Sequence, residues 1–308
     1  MQNWKKLGKI FEVNKNFEWM YTHSAVPFAE FIKNDILKIY FSCRDKHNVS
    51  YIGYIIVNIN NPKKILTISK APVLKKSKIG TFDDSGTMGC CILNRNNKRY
   101  LYYIGWNLGV TVPFRNSIGL AISNDNGKTY QRAFDGPILD RNKNEPHFTA
   151  SNCVINDNGI YKIWYLSATH WKIINRKPRH YYHIKYAESK NGIDWIRKGV
   201  VAIDYKNKYE YSISVPRVIK ENSIYKMWFS SRGTKKINEY RINYAESKNG
   251  IEWIRKDNQI FLNVSEKGWD SKMICYPFIF DHKGKRYMLY NGNDYGKTGF
   301  GLAVLENK

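Results

Sequence analysis

The sequence predicts an all-β protein, a five-bladed β-propeller of four-stranded antiparallel blades. The first observation is an aromatic strand that occurs five times along the 308 residues. The central aromatic residues are spaced by 63, 61, 64 and 62 positions, and they are Tyr40, Tyr103, Trp164, Trp228 and Tyr290. Several short strands in each period of this length are typical of sheets repeated radially, because one small sheet cannot bury both of its faces alone.

The second observation is an apolar strand before each aromatic strand, joined to it by a polar turn. Asn, Asp and Gly in these turns allow the left-handed backbone that tight hairpins need. The apolar strands are predicted at Val26–Ile32, Gly89–Leu93, Asn152–Ile155, Val215–Ile219 and Tyr276–Phe280.

The third observation is a repeat in the outer half of the blade. Residues Tyr186–Lys198 return as Tyr244–Lys256 with a single difference, Asp194 against Glu252. A ligand-binding loop and a structural turn are both compatible with this Asn-Gly and Trp segment. We interpret it as a turn whose aromatic residue packs between blades, because the unit recurs where only one site can exist.

The five periods fill the chain, so we expect a single domain spanning residues 1–308. No segment has the composition of a linker. The N-terminus lacks the apolar run of a signal peptide, and no segment has the roughly eighteen apolar residues of a membrane span, so we expect a cytoplasmic protein. The five cysteines are odd in number and lack Cys-x-x-Cys spacing, which predicts reduced thiols, no metal and no cofactor.

The net charge of +24 favours anionic partners, and a sugar phosphate, a nucleotide sugar or an anionic membrane surface would fit. A compositional bias of the chain explains the same charge. The basic residues are dispersed through every blade, so we expect no specific nucleic-acid binding. One cluster in blade three, His170–Lys172 followed by Asn175–His180, is predicted to form a basic, aromatic loop at one mouth of the propeller.

Acidic residues precede the innermost strand in four of the five repeats. They are Asp83 and Asp84, Glu145, Glu210 and Asp270, whereas the first repeat has His23 at this place. These strand ends converge on the axis, so we expect a ring of carboxylates suited to acid and base catalysis on one small substrate. The alternative is that each acid bonds to the backbone of a neighbouring blade.

The chain resembles the five-bladed glycoside hydrolases of the arabinanase, β-xylosidase and invertase superfamily. It is more similar still to propeller proteins encoded with bacterial surface-polysaccharide genes. The segments that carry this closer resemblance are Gly80–Gly86, Tyr103–Asn107, Gly136–Leu139, Glu145–Ser151, Ser214–Arg217, Gly268–Ser271 and Tyr290–Asn293. The resemblance implies a carbohydrate-active protein that binds a glycan or an activated sugar.

The chain departs from those hydrolases at the first inner strand, where they place a carboxylate base and this sequence has none. If it is an enzyme, Asp84 is the candidate base, and Glu145 or Glu210 is the candidate acid. A sugar transferase would instead need cations that stabilise a phosphate leaving group. Candidate binding residues are Arg44, Arg217 and Arg232 for the phosphate, with His23, Asp83, Trp106, Asn107, Trp171, Asp270 and Asn291 around the sugar.

Three functional classes therefore remain open. A glycosidase-like or sugar-transferring enzyme explains the acids, the arginines and the aromatic residues Trp106 and Trp171. A catalytically silent propeller that binds a glycan or an anionic sugar explains the missing base equally well. A scaffold for another protein explains neither the acids nor the arginines, so we rank it third.

Overall fold

A computed structural model describes residues 1–234 and 237–306, and this part of the chain is mainly β-strand. Its strands, in chain order, are β1 Gln2–Phe11, β2 Thr22–Lys33, β3 Ile36–Arg44, β4 Ser50–Asn58, β5 Asn61–Ile68, β6 Thr87–Arg95, β7 Lys98–Leu108, β8 Phe114–Ser123, β9 Gln131–Arg132, β10 Thr149–Asp157, β11 Ile160–Ile174, β12 Lys177–Ser189, β13 Val201–Ile203, β14 Ser212–Glu221, β15 Ile224–Arg232, β16 Arg241–Ser247, β17 Ile254–Arg255, β18 Ile260–Phe261, β19 Cys275–His282, β20 Lys285–Asn291 and β21 Phe300–Leu305. A single 3₁₀ turn lies at Asp257–Gln259, and the segment Asn293–Gly296 is a tight turn in which Asp294 and Tyr295 have a left-handed backbone.

The strands pair into sets of four antiparallel neighbours, which we number along the chain and call blades. Blades one to four are β2–β5, β6–β9, β10–β13 and β14–β17. Blade five consists of β19, β20 and β21 with β1 as its outer strand, so the beginning of the chain completes the last sheet. The short strand β18 adds to β1 in parallel.

The first strands of the blades form a ring. Strand β2 contacts β6, β6 contacts β10, β10 contacts β14, β14 contacts β19, and β19 contacts β2 again. This arrangement is that of a β-propeller, and it confirms the predicted fold class. The five aromatic residues that defined the repeat lie on the second strands, and all of them are fully buried.

Neighbouring blades are joined through the outer Asn-Gly turns. Tyr102 Oη donates a hydrogen bond to Gly192 O (3.0 Å), and Trp164 Nε1 donates to Gly250 O (2.8 Å). A Cβ atom at Gly192, where φ is +75°, would lie 2.8 Å from Tyr102 Oη, so this position requires glycine. These contacts support the interpretation of the outer repeat as a structural turn.

The axis is closed partway along by the first strands themselves. Pro27, Pro216 and Pro277 meet there, with a void of only about 10 Å³ between them and their neighbours. The residue before each proline has a left-handed backbone: Val26 (φ 50°), Val215 (φ 48°) and Tyr276 (φ 57°). Such a conformation is strained for residues with bulky side chains.

Side chains of adjacent blades hold these strained residues in place. Asn291 Oδ1 accepts from Val26 N (2.7 Å), and Ser230 Oγ accepts from Tyr276 N (2.7 Å). The three strained residues line the bottom of the cavity described next. Among the described residues, no helix is long and apolar enough to cross a membrane.

Candidate functional site

A cavity of about 350 Å³ opens at one mouth of the propeller axis. It lies where the first strands begin and the second strands end. The described lining is mostly apolar and aromatic, and it includes no Asp or Glu. Its aromatic members are Trp106, Phe114, Phe148, Tyr182, Tyr240, Tyr276 and Tyr295, and its charged or titratable members are Arg44, His180 and Arg232.

Arg232 ends β15 and brings a permanent positive charge to the wall of the cavity. Its Nη1 donates to Tyr295 Oη (2.6 Å), and its Nη2 lies 3.3 Å from His180 Nε2. The guanidinium also stands over the rings of Tyr211 and Tyr240, at 5.0 and 4.7 Å from their centroids. No described carboxylate neutralises this charge.

Arg44 ends β3 and supplies a second charge to the same cavity. The described part of the chain offers its guanidinium no hydrogen-bond or ion-pair partner. Burial lowers the pKa of Arg44 from its ordinary value, although a guanidinium stays protonated in proteins at neutral pH. A half-buried cation without an anion is costly, and a bound anion would remove that cost.

The two histidines near the cavity are neutral at physiological pH. Burial, and then the charges of Arg232 and Arg179, lower the pKa of His180 to about 4. Burial, and then the charges of Arg44 and Lys297, lower the pKa of His23 to about 4. The positive charge of the cavity therefore comes from Arg44 and Arg232.

Several polar atoms of the lining have no partner among the described residues. They include Trp106 Nε1, Asn116 Oδ1 and Arg232 Nε, and each is shielded from solvent. Buried polar groups in folded proteins are nearly always hydrogen-bonded. A ligand that offers both donors and acceptors, as sugar hydroxyls do, would satisfy them.

The predicted acids lie at equivalent places in their blades, but they do not line this cavity. Asp83 is fully buried, and it accepts from Tyr103 Oη (3.0 Å) and Arg132 Nε (2.7 Å). Asp270 repeats this arrangement with Tyr290 Oη (3.1 Å) and Lys6 Nζ (2.6 Å). Each carboxylate thus ties the start of its blade to a tyrosine of the second strand and to a cation.

Glu145 and Glu210 are likewise bound by side chains of their own blades, although no tyrosine hydroxyl among the described contacts reaches Glu210. Glu145 accepts from Tyr165 Oη (3.0 Å) and Ser167 Oγ (2.8 Å), with Arg197 Nη1 at 3.9 Å. Glu210 accepts hydrogen bonds from both terminal nitrogens of Arg255, at 2.6 and 3.0 Å. These contacts are structural, but they differ from the alternative stated above, because side chains of the same blade, and not the backbone of a neighbouring blade, bind each acid.

Asp84 differs from the other four acids. Its carboxylate accepts from Gly80 N (2.9 Å), Ser85 Oγ (2.8 Å) and Asn107 Nδ2 (3.1 Å). Partial burial favours its neutral form, but these hydrogen bonds outweigh burial and lower the pKa of Asp84. Asn107 follows the lining residue Trp106 in β7, so Asp84 is linked to the end of that strand as an ionised carboxylate outside the described lining.

The remaining predicted residues separate into two groups. Arg44, Trp106 and Arg232 line the cavity together, and Trp171 packs behind its wall with its ring 5.3 Å from that of His180.

Arg217 and Asn291 lie elsewhere. Arg217 stands over Phe278 (4.1 Å) beneath the floor and donates to Ile279 O (3.2 Å), so it does not face the ligand space with the other arginines. Asn291 is fully buried and joins blade five to blade one, which is a structural position.

Sequence reasoning did not name Tyr240 and Tyr295 as lining residues, and it placed His180 at the mouth only as part of the basic, aromatic cluster. Each belongs to the connection between the second and third strands of its blade, or to an adjacent strand end. The pairing of His170 with Tyr181 and of Trp171 with His180 shows that β11 and β12 extend together to the mouth. The only sequence signal for this was the basic, aromatic cluster of blade three.

Comparison with known proteins identifies relatives along the whole chain. No protein-family model matches the sequence. The chain is 41% identical over 304 residues to "Uncharacterized protein Rv1502" of Mycobacterium tuberculosis, covering 99% of both proteins. A partial match, 30% identical over 136 residues, covers 41% of this chain and 44% of a 1,2-beta-oligomannan phosphorylase of Thermoanaerobacter.

Solved structures with the same fold include glycoside hydrolases of low sequence identity. A glycosyl hydrolase from Bacteroides ovatus superposes with a TM-score of 0.72 at 15% identity, over 98% of this protein and 93% of that one. A thermostable family-43 glycoside hydrolase gives 0.68 at 18% identity, over 94% and 90%. A structure from a study of GH130 mannoside phosphorylases and hydrolases gives 0.71 at 14% identity, over 100% and 95%. The chain has the propeller fold of glycoside hydrolase-like proteins, and it belongs to the same protein family as Rv1502 of M. tuberculosis.

Proposed function

We propose that this protein is carbohydrate-active and that its central cavity binds a sugar carrying a phosphate or a similar anionic group. One observation carries the proposal: Arg44 and Arg232 line the cavity, and no described acid does. Guanidinium groups bind phosphate through charge-assisted hydrogen bonds. The aromatic wall and the unpaired Trp106 Nε1 and Asn116 Oδ1 would contact the sugar itself.

We also propose that residues 1–308 form one five-bladed domain. The closed ring of first strands and the pairing of β1 with β21 support this organisation. The resemblance to propeller proteins of surface-polysaccharide gene clusters suggests a role in the metabolism of such a glycan. We propose the cytoplasm as the location of the protein.

The reaction that fits this site best is transfer of a sugar rather than hydrolysis. In such a step the bond from the anomeric carbon to the phosphate oxygen breaks, and the phosphate leaves as an anion held by Arg44 and Arg232. An acceptor hydroxyl bonds to the anomeric carbon and gives its proton to Asp84, the ionised acid that Asn107 links to the end of β7. The partial likeness to an oligomannan phosphorylase supports a reaction that involves phosphate.

The contacts of Glu145 and Glu210 support structural roles in this proposal. Both were candidate acids, and both are bound to cations of their own blade. A catalytically silent propeller that binds an anionic sugar is the second candidate. The observation that favours it is the absence of a described carboxylate from the cavity lining.

Calorimetric titration of the wild-type protein tests the binding proposal. The ligands are hexose 1-phosphates, the same hexoses without phosphate, and inorganic phosphate. We expect a sugar phosphate to bind at least tenfold more tightly than its neutral sugar. Equal affinity for the two would contradict the proposal. A second experiment, incubation of the protein and the sugar phosphate with acceptor oligosaccharides, distinguishes an enzyme, which releases phosphate, from a binding protein, which does not.

A further inference from the structure

We infer that the mouth of the cavity docks onto an anionic lipid bilayer through three loops of blades two and three. The loops span residues 75–84, 107–115 and 172–179, and we call them the mouth loops. This inference rests on the proposed function, because docking would bring the cavity to a sugar phosphate carried at a membrane surface.

The mouth loops lie side by side around the cavity. The loop 107–115 joins β7 to β8, and Trp106 and Phe114 at its two ends both line the cavity. Asn107 Nδ2 donates to Thr81 O (3.4 Å), which connects this loop to residues 75–84. The ring of Phe114 lies 5.6 Å from that of Trp171, which connects it to the hairpin of β11 and β12.

Apolar side chains stand out into solvent from each mouth loop. Ile79 is 97% exposed, Leu108 71%, Val110 104% and Ile173 70%. Apart from Met1, these are the described large apolar side chains with an exposed fraction of 70% or more. Single exposed apolar residues are common on protein surfaces, but the concentration of these four around one opening indicates an interaction surface.

The charge of the mouth loops identifies the partner as an anionic membrane. Their sequence contains eight cationic residues and two acids. One of the acids, Asp83, is buried against Arg132, and it does not offset the surface charge. The cationic residues are Lys75, Lys76, Lys78, Arg115, Lys172, Arg176, Lys177 and Arg179.

Exposed apolar side chains that lie among lysines and arginines are suited to a bilayer interface. The aliphatic side chains enter the boundary between headgroups and acyl chains, while the cations contact lipid phosphates. The cytoplasmic leaflet carries negative charge, which agrees with the proposed cytoplasmic location. A protein partner is the competing occupant, and the following experiment separates the two.

Co-sedimentation with lipid vesicles tests the inference. The probes are vesicles of phosphatidylcholine alone and vesicles that also contain phosphatidylglycerol. We expect wild-type protein to bind only the anionic vesicles and to dissociate in high salt. Equal binding to both kinds of vesicle, or binding to neither, would overturn the inference, and the second result is also what a protein partner would give.

Matched variants locate the contact. The double variant Leu108→Ser, Val110→Ser should bind anionic vesicles at least tenfold more weakly, and Ile173→Ser should also weaken binding. Ile254→Ser is the control, because Ile254 is 69% exposed on the outer strand β17, away from the mouth. Replacing Lys172 and Lys177 by Gln should weaken the binding of anionic vesicles about fivefold for each charge removed.

Two further measurements keep the result interpretable. Thermal melting establishes that the variants are folded, and Ile173→Ser provides a second apolar test if the double variant is not. Titration with a soluble sugar phosphate, without vesicles, should give the same affinity for mouth-loop variants and wild type. Vesicle binding that is unchanged in both apolar variants would contradict the assignment of the mouth loops as the docking surface. Absence of sugar-phosphate binding by the wild-type protein would contradict the proposed function alone.

Discussion

Arg232 Nη2 lies 3.3 Å from His180 Nε2 in the wall of the central cavity. An unprotonated imidazole nitrogen accepts a hydrogen bond from a guanidinium, whereas an imidazolium would repel it. Burial, followed by the charges of Arg232 and Arg179, lowers the pKa of His180 from 6.5 to about 4. Burial, together with these two charges, therefore keeps His180 neutral over the pH range in which a histidine in water becomes charged.

The stability of the protein should depend on pH through this histidine. In the unfolded chain His180 binds a proton below about pH 6.5, but in the folded protein it does so only below about pH 4. Unfolding therefore takes up a proton in this window, and stability falls as the pH drops from 6.5 towards 4. Replacing His180 by Gln keeps an acceptor for Arg232 and removes the titration.

Thermal melting between pH 7 and pH 4 checks this prediction. The loss of melting temperature on acidification should be smaller in His180→Gln than in wild type. A residual loss is expected, because His23 has the same lowered pKa. Parallel pH profiles for the two proteins would show that His180 titrates normally in the folded state.

Asn291 should be a major contributor to stability rather than a ligand residue. Its side chain accepts from Val26 N (2.7 Å) and donates to Ser24 O (2.7 Å) and Gly299 O (3.1 Å). Replacement by Ala removes three buried hydrogen bonds, and it should lower the free energy of unfolding by about 3 kcal/mol.

Urea unfolding measures this change. The exposed Asn144 provides the control, because Asn144→Ala should alter the free energy of unfolding by less than about 0.5 kcal/mol. If the Asn291→Ala protein is as stable as wild type but binds sugar phosphate poorly, Asn291 is a ligand-binding residue and not a structural one.

Glu145→Gln should affect stability more than ligand binding. The buried carboxylate accepts from Tyr165 Oη and Ser167 Oγ, with Lys185 Nζ and Arg197 Nη1 both at 3.9 Å. Loss of its charge should cost about 2 kcal/mol of folding free energy. Chemical unfolding and sugar-phosphate titration of the same variant measure the two effects. A drop in turnover of two to four orders of magnitude with unchanged stability would instead identify Glu145 as the general acid.

Asp84→Asn tests the proposed transfer reaction. The amide cannot take the proton of the acceptor hydroxyl, so turnover should fall by about two orders of magnitude. Affinity for the sugar phosphate should change little, because Arg44 and Arg232 are retained. Phosphate release from the sugar phosphate measures the rate. Wild-type turnover in Asp84→Asn would leave anionic-sugar binding as the function of the site.

The repeat in the sequence was sufficient to predict the propeller class. Aromatic residues 61 to 64 positions apart are buried between sheets in every copy, so their spacing follows the periodicity of the architecture. The structural role of the outer Asn-Gly turns was predictable from the same periodicity. Each turn places its glycine against an aromatic side chain of the neighbouring blade, Tyr102 or Trp164.

The position of the acids was predictable from the sequence, but their role was not. Asp83 and Asp270 occupy equivalent places, as the repeat indicated. Their partners Arg132 and Lys6 come from outer strands whose contacts depend on the twist and register of each blade. Tyr295 was missed because it enters the cavity from a connection that has no counterpart of fixed spacing in the other blades.

The affinity of Arg44→Met and Arg232→Met for a sugar phosphate tests the central claim most directly. Arg141→Met is the matched control, because Arg141 is exposed and lies outside the cavity. Each cavity variant should lose about 10- to 150-fold in affinity, the equivalent of one charged hydrogen-bonded contact, while the control binds as wild type. Wild-type affinity in both cavity variants, confirmed as folded by thermal melting, would contradict the assignment of this cavity to an anionic sugar.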